Sequence, residues 1–171
     1  MPPRLKALQH NPYAVGLLLA AVAEVLFAAW IDRPGKIMFD EVHYVPAALS
    51  LLSLDMPRNV EHPMLGKELI ALGIALFGDN AWGWRLVPSL AGAATVAGSF
   101  AFLRLLTRDM RAAVVGALLV MLNQLVFVLA RIAMLDVFLG LFLVWGMAAM
   151  LVGGARHPAA GALALGRSAA R

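Results

Sequence analysis

The chain has 171 residues, 62% of them hydrophobic and 14% charged, with 14 Lys and Arg against 10 Asp and Glu and a mean hydropathy of +0.82. So little polar surface excludes a soluble domain of this length, and the chain is read as an integral membrane protein. The lack of Cys excludes disulfides, thiolate nucleophiles and Cys-ligated zinc, and the basic residues sit at the ends of apolar runs, which marks topology rather than nucleic-acid binding.

In chain order, residues 1–12 carry Arg4 and Lys6 and precede a first apolar run at 13–31. That run is long for the apolar core of a signal peptide, contains Glu24, and has Trp30 near its end as an interface anchor, so it reads as a retained span. Further runs at 85–106, 112–130 and 135–152 are close to the about 20 residues that a helix needs to cross a bilayer. The tail at 153–171 is Ala- and Gly-rich with scattered Arg. The predicted fold is therefore all-α and polytopic, with about four transmembrane helices.

Alternating the four helices puts Arg4, Lys6, Arg104, Arg108, Arg111, Arg156, Arg167 and Arg171 on one side, which the positive-inside rule makes cytoplasmic. The segment 32–84 then lies outside with Asp32, Asp40, Glu41, Asp55, Glu61, Glu68 and Asp79, seven of the ten acidic residues. Within it, 43–54 and 64–77 are mostly apolar yet too short to span. They read as interfacial helices that hold the loop against the outer membrane surface, with Trp82 and Trp84 marking the return to the interface. The expected location is a bacterial inner membrane, with the acidic loop facing the periplasm or exterior.

The adjacent carboxylates of Asp40 and Glu41 stand at headgroup depth, where ionised groups are costly and are kept for chemistry, pairing or ion binding. Asp40 is the candidate base. Glu41 would position an acceptor or raise the basicity of Asp40 by like charge. The competing structural role for Asp40 is to cap the helix that follows. Lys67, Arg85 and Arg131 are candidate phosphate contacts on the external side, against the plainer roles of snorkelling for Arg85 and of a structural pair between Arg131 and Asp136. His62, before Pro63, shapes the turn into the next helix. His43 and His62 with Asp40, Glu41 and Glu61 offer donors for a divalent ion, but their spacing is not diagnostic.

Four motifs carry a resemblance: Phe39-Asp40-Glu41-Val42-His43-Tyr44, His62-Pro63-Met64-Leu65-Gly66-Lys67, Trp84-Arg85-Leu86-Val87-Pro88-Ser89 and Ala130-Arg131-Ile132-Ala133-Met134-Leu135-Asp136. Their order and spacing over roughly 32–152 resemble the protein O-mannosyltransferase family, one of the GT-C membrane glycosyltransferases. Met64 replaces the second Pro of the family's usual His-Pro-Pro-Leu-Gly-Lys. The resemblance implies a partial GT-C fold and transfer of a sugar, expected to be mannose, from a polyprenyl phosphate to an acceptor hydroxyl, expected to be protein Ser/Thr, with inversion. It implies Asp40 and Glu41 as catalytic residues and Arg85, Lys67, His62 and Arg131 as donor-phosphate or substrate contacts, with membrane lipids as surroundings, no nucleic acid, and no required cofactor or metal.

That family has many more spans, so the chain is expected to be the N-terminal part of an enzyme, with little activity alone. Three alternatives stand beside this: a lipid-directed transferase of the aminoarabinose type, a non-catalytic subunit, and a small proton-coupled transporter built around Glu24. The long external loop argues against the transporter. No phosphate-cradling Gly-rich loop or nucleotide fingerprint is present, which favours a lipid-linked donor.

Overall fold

The computed structural model describes residues 11–156. Among them all regular structure is helical: α1 Pro12–Ala28, α2 Glu41–Leu52, α3 Met64–Phe77, α4 Ala81–Thr107, α5 Met110–Met121, α6 Gln124–Leu129 and α7 Asp136–Arg156. α4 and α7 are long and apolar enough to cross a membrane, whereas α1 and α5 are shorter apolar helices. The predicted tail at 153–171 lies mostly outside the described residues.

Side-chain caps on the backbone fix where most helices begin. Asn11, Asn80 and Asn123 each accept two hydrogen bonds from the first-turn N–H groups of α1, α4 and α6, and Asp109 accepts one from Arg111 in α5, satisfying donors that a helix start leaves orphaned. Asn80 starts α4 four residues earlier than hydropathy alone predicts. Trp82 and Trp84 therefore belong to the helix, where the Trp84 indole donates to Asp79 at 2.6 Å. Asn123 has the opposite consequence for 112–130. Its amide starts a new helix, so the predicted continuous span is broken into α5 and α6. The segments predicted to be short helices at 43–54 and 64–77 are helical, as α2 and α3, the latter with its predicted bounds.

α4 is the central element and packs against α1, α3, α5 and α7. Its contact with α3 is a close backbone approach. A Cβ on Gly73 would collide with the Gly83 carbonyl, and a Cβ on Gly83 with the Gly78 carbonyl, so the two helices touch only because these positions are glycine. Gly78 itself, at φ 86, turns the chain between them.

The outward faces of the bundle are apolar. Leu17, Leu18, Leu119, Leu139 and Leu143 are each more than 60% exposed, a surface that water does not tolerate as a contiguous patch and that hydrocarbon does. Residues brought together at the two ends of the bundle are consistent along the chain. At one end the C-terminus of α1 meets Arg131. At the other, Pro12 and Tyr13 share a groove with Arg104, Leu105 and Val152.

Candidate active site

The site is built around the sequence Phe39-Asp40-Glu41 at the start of α2. Phe39 is held at φ 50, a left-handed conformation that is strained for an aromatic residue. It turns the chain sharply so that the next two side chains diverge.

Glu41 points inward and is fully buried. Its carboxylate accepts from Arg85 Nε and Nη2, each at 2.8 Å, and from the backbone N–H groups of Met38 at 2.9 Å and Ala133 at 2.8 Å. Arg85, 1% exposed, spends its remaining donors on the carbonyls of Ile31, Pro34 and Lys36, each at 2.9 Å. All five guanidinium N–H groups are thus used. One bidentate ion pair ties the end of α1, the start of α2, the second turn of α4 and the loop before α7 into one body. As placed, Arg85 offers no donor to a phosphate, and the charge of Glu41 is compensated rather than set against Asp40. Sequence reasoning placed both residues at the site, Glu41 to position an acceptor or raise the basicity of Asp40 and Arg85 as a phosphate contact or a snorkelling charge, but it could not see that they belong to each other.

Asp40 occupies the capping position of α2 but makes no capping bond. The residues that do cap in this chain have extended backbone, with ψ between 105 and 175, whereas Asp40 has ψ −2, which carries its carboxylate away from the first-turn N–H groups. Among the described residues the Asp40 carboxylate has no hydrogen-bond donor. It is half-buried and available.

One turn on, Tyr44 is buried and its ring lies 5.6 Å from that of His62. Burial, and then the negative charges of Asp40, Asp136 and Glu61, push the Tyr44 phenol above its ordinary value. Carboxylates from three separate segments thus add to the rise that burial causes. Tyr44, His62 and Asp136 form the polar part of a cavity of about 340 Å³ whose other walls include Leu65, Gly66, Leu135, Phe138 and Phe142. Gly66 lets α3 approach this wall, since a Cβ there would lie 2.7 Å from Leu135 Cδ2.

Lys67 is 1% exposed, and its Nζ donates at 2.6 Å to the carbonyl of Asn59. No carboxylate pairs with it among the described residues, which leaves a buried ammonium with two unused donors. Arg131 does not pair with Asp136 as expected. It donates to the carbonyls of Leu26 and Ala29 at the end of α1, at 2.7 and 2.6 Å, and lies over the Phe127 ring. The unsatisfied carbonyls of a helix end attract a cation, and Asp136 is exposed, where an ion pair contributes little. Tyr44 was not singled out as part of a site in the sequence, although its position one turn after Asp40 carries that signal. Among the described residues no group of three or more His, Asp and Glu side chains is placed to hold a metal ion.

Residues 77–160 match the family model described as dolichyl-phosphate-mannose-protein mannosyltransferase. The chain is 37% identical over 141 residues to a polyprenol-phosphate-mannose–protein mannosyltransferase of Mycobacterium tuberculosis, covering 79% of the chain and 27% of that protein. It is 34% identical over 145 residues to a protein of the same description from Mycolicibacterium smegmatis, covering 81% and 28%. A shorter match, 38% over 79 residues, covers 46% of the chain and 14% of an undecaprenyl phosphate-alpha-4-amino-4-deoxy-L-arabinose arabinosyl transferase of Pseudomonas fluorescens. The chain thus spans roughly a quarter of the curated mannosyltransferases it matches. No solved structure matches it.

Proposed function

Because the chain belongs to the protein mannosyltransferase family, we propose that it carries the catalytic base and part of the donor site of an inverting transferase that moves mannose from a polyprenyl phosphate to a protein hydroxyl. The observation that carries this reading is Asp40: a carboxylate at the helix start that makes no capping bond and has no hydrogen-bond donor among the described residues, one turn before Tyr44, which lines a cavity with apolar walls.

The chemistry asks little more. The acceptor oxygen attacks the anomeric carbon, its proton passes to the Asp40 carboxylate, and the bond from that carbon to the phosphate oxygen breaks with its electrons leaving on the polyprenyl phosphate. The leaving phosphate is a weak base and needs positive charge rather than a proton, unlike a glycosidic leaving group, which needs an acid opposite the base. Lys67 supplies that charge, because it is a buried cation that pairs with no carboxylate among the described residues. Glu41 and Arg85 hold Asp40 in place as positioning residues. His62 and Tyr44 line the cavity, and Arg131 anchors α1 beside it. No metal is needed in this scheme.

In the membrane we place α1, α4, the broken pair α5–α6 and α7 as four crossings, with α2 and α3 lying at the outer surface and the Asp40 end facing the periplasm of a bacterial inner membrane. The matched ends of α1, α4 and α7 support this alternation.

The test is transfer from radiolabelled polyprenyl-phosphate-mannose to a Ser/Thr peptide by native membranes holding the protein, compared with membranes lacking it. Label in peptide that depends on the protein is expected. Label confined to lipid would replace this reading with the lipid-directed transferase.

A further inference from the structure

Among the described residues, a buried acceptor on the residue that holds the Lys67 ammonium has no partner. Asn59 sits at φ 54, its Nδ2 donates to Glu61 Oε1 at 2.9 Å, and its Oδ1 is buried with no hydrogen-bond partner among the described residues. The bond to Glu61 requires the amide nitrogen on that side, which fixes the orientation of the amide and aims the oxygen inward. The same residue's main-chain carbonyl receives Lys67 Nζ at 2.6 Å and the His62 N–H at 3.3 Å, and the His62 ring is tilted against that of Tyr44, one turn from Asp40. The orphaned oxygen thus sits on the residue that holds Lys67, in the segment that carries His62 to the Tyr44 ring. Unpaired buried acceptors are rare and costly in a finished site.

We propose that Asn59 is a specificity residue whose Oδ1 accepts the hydroxyl on C2 of the donor sugar, and so reads the configuration of that carbon. The inference rests on the proposed function, with Lys67 holding the donor phosphate. In a glycosyl phosphate the hydroxyl nearest the phosphate is the one on C2. A phosphate on Lys67 Nζ therefore brings that hydroxyl toward the neighbouring Asn59 side chain. Mannose and glucose differ only at C2, so an acceptor fixed in direction pairs with one epimer and is left buried and unpaired by the other. A buried acceptor left unpaired in this way corresponds to a preference of roughly 5- to 150-fold.

The test uses the complete membrane protein with polyprenyl-phosphate-mannose and the corresponding glucose donor. Asn59→Gly removes the amide and suits the left-handed backbone at this position. The ratio of kcat/KM for the mannosyl over the glucosyl donor is expected to fall by roughly 5- to 150-fold, with the thermal midpoint unchanged. An unchanged ratio, or a wild type with no preference between the epimers, overturns the proposal. Should Asn59→Gly not fold, Glu61→Ala, which frees the amide to rotate, is read by the same ratio against the same criterion. Lys67→Met separates this inference from the reading beneath it. It should weaken both donors equally, and unaltered donor affinity would sink the phosphate site while leaving the Asn59 ratio to be judged by itself.

Discussion

Glu41 and Arg85, 44 residues apart, meet at 2.8 Å with side chains 0% and 1% exposed. Removing either partner strands a buried charge, for which the cost is about 3–5 kcal/mol. Arg85→Met is therefore expected to lower the thermal midpoint sharply in detergent. Arg85→Lys should recover little, because one ammonium cannot reach both carboxylate oxygens and three carbonyls. A midpoint unchanged in Arg85→Met would mean that the pair does not hold the site.

The close contact of α3 with α4 gives a second prediction. In Gly83→Ala the new methyl meets the Gly78 carbonyl, which is backbone and cannot swing aside. Overpacking of this kind costs about 1–3 kcal/mol, read as a lower unfolding midpoint, and it should be accompanied by a change in Trp84 fluorescence as the bond to Asp79 is disturbed. Gly146→Ala, where a Cβ meets nothing within 4 Å, is the matched control and should be silent.

These two contacts also show how far the sequence could be read. The bounds of α3 were legible because Pro63 and Gly78 punctuate an apolar run. The break between α5 and α6 was signalled by one residue, Asn123, within a run whose hydropathy is otherwise continuous, and a window average hides a single cap. Asp40 and Lys67 were legible as charges in an apolar setting. The partnership of Glu41 with Arg85 was not, since nothing local records which of several cations a carboxylate will meet once the chain has folded. Asn59 was invisible for the same reason. Its significance lies in a missing partner, which only three dimensions reveal.

Tyr44 offers a prediction in pH. Burial and the charges of Asp40, Asp136 and Glu61 raise its phenol, so between the ordinary value near 10 and the raised one the folded state keeps a proton that the unfolded state has lost. The contribution to stability is thus fully present below about pH 10 and is lost as pH rises beyond it. In a Tyr13→Phe background, which leaves Tyr44 as the one tyrosine, tyrosinate absorbance should develop above the ordinary range. It should move down in Asp136→Asn. Titration at the ordinary value, unmoved by that substitution, would place the carboxylates away from the ring.

Arg131 is expected to act through α1 rather than through substrate. Arg131→Ala frees the carbonyls of Leu26 and Ala29, and loss of two charge-assisted bonds at a partly exposed helix end should cost about 1–3 kcal/mol. Thermal unfolding should report that loss, while the KM for the polyprenyl donor should stay within about twofold, below the tenfold that 1.4 kcal/mol represents. A large rise in KM at unchanged stability would make Arg131 a substrate contact instead.

The central claim concerns Asp40, a free carboxylate held in place by its buried neighbour. The most direct measurement is mannose transfer by Asp40→Asn, made in the complete membrane protein with expression and unfolding midpoint recorded alongside. Since Asp40 makes no capping bond, stability should be unchanged, while loss of the base should slow transfer by about 10²–10⁴-fold. Transfer within a few-fold of wild type, at equal amounts of folded protein, would contradict the account.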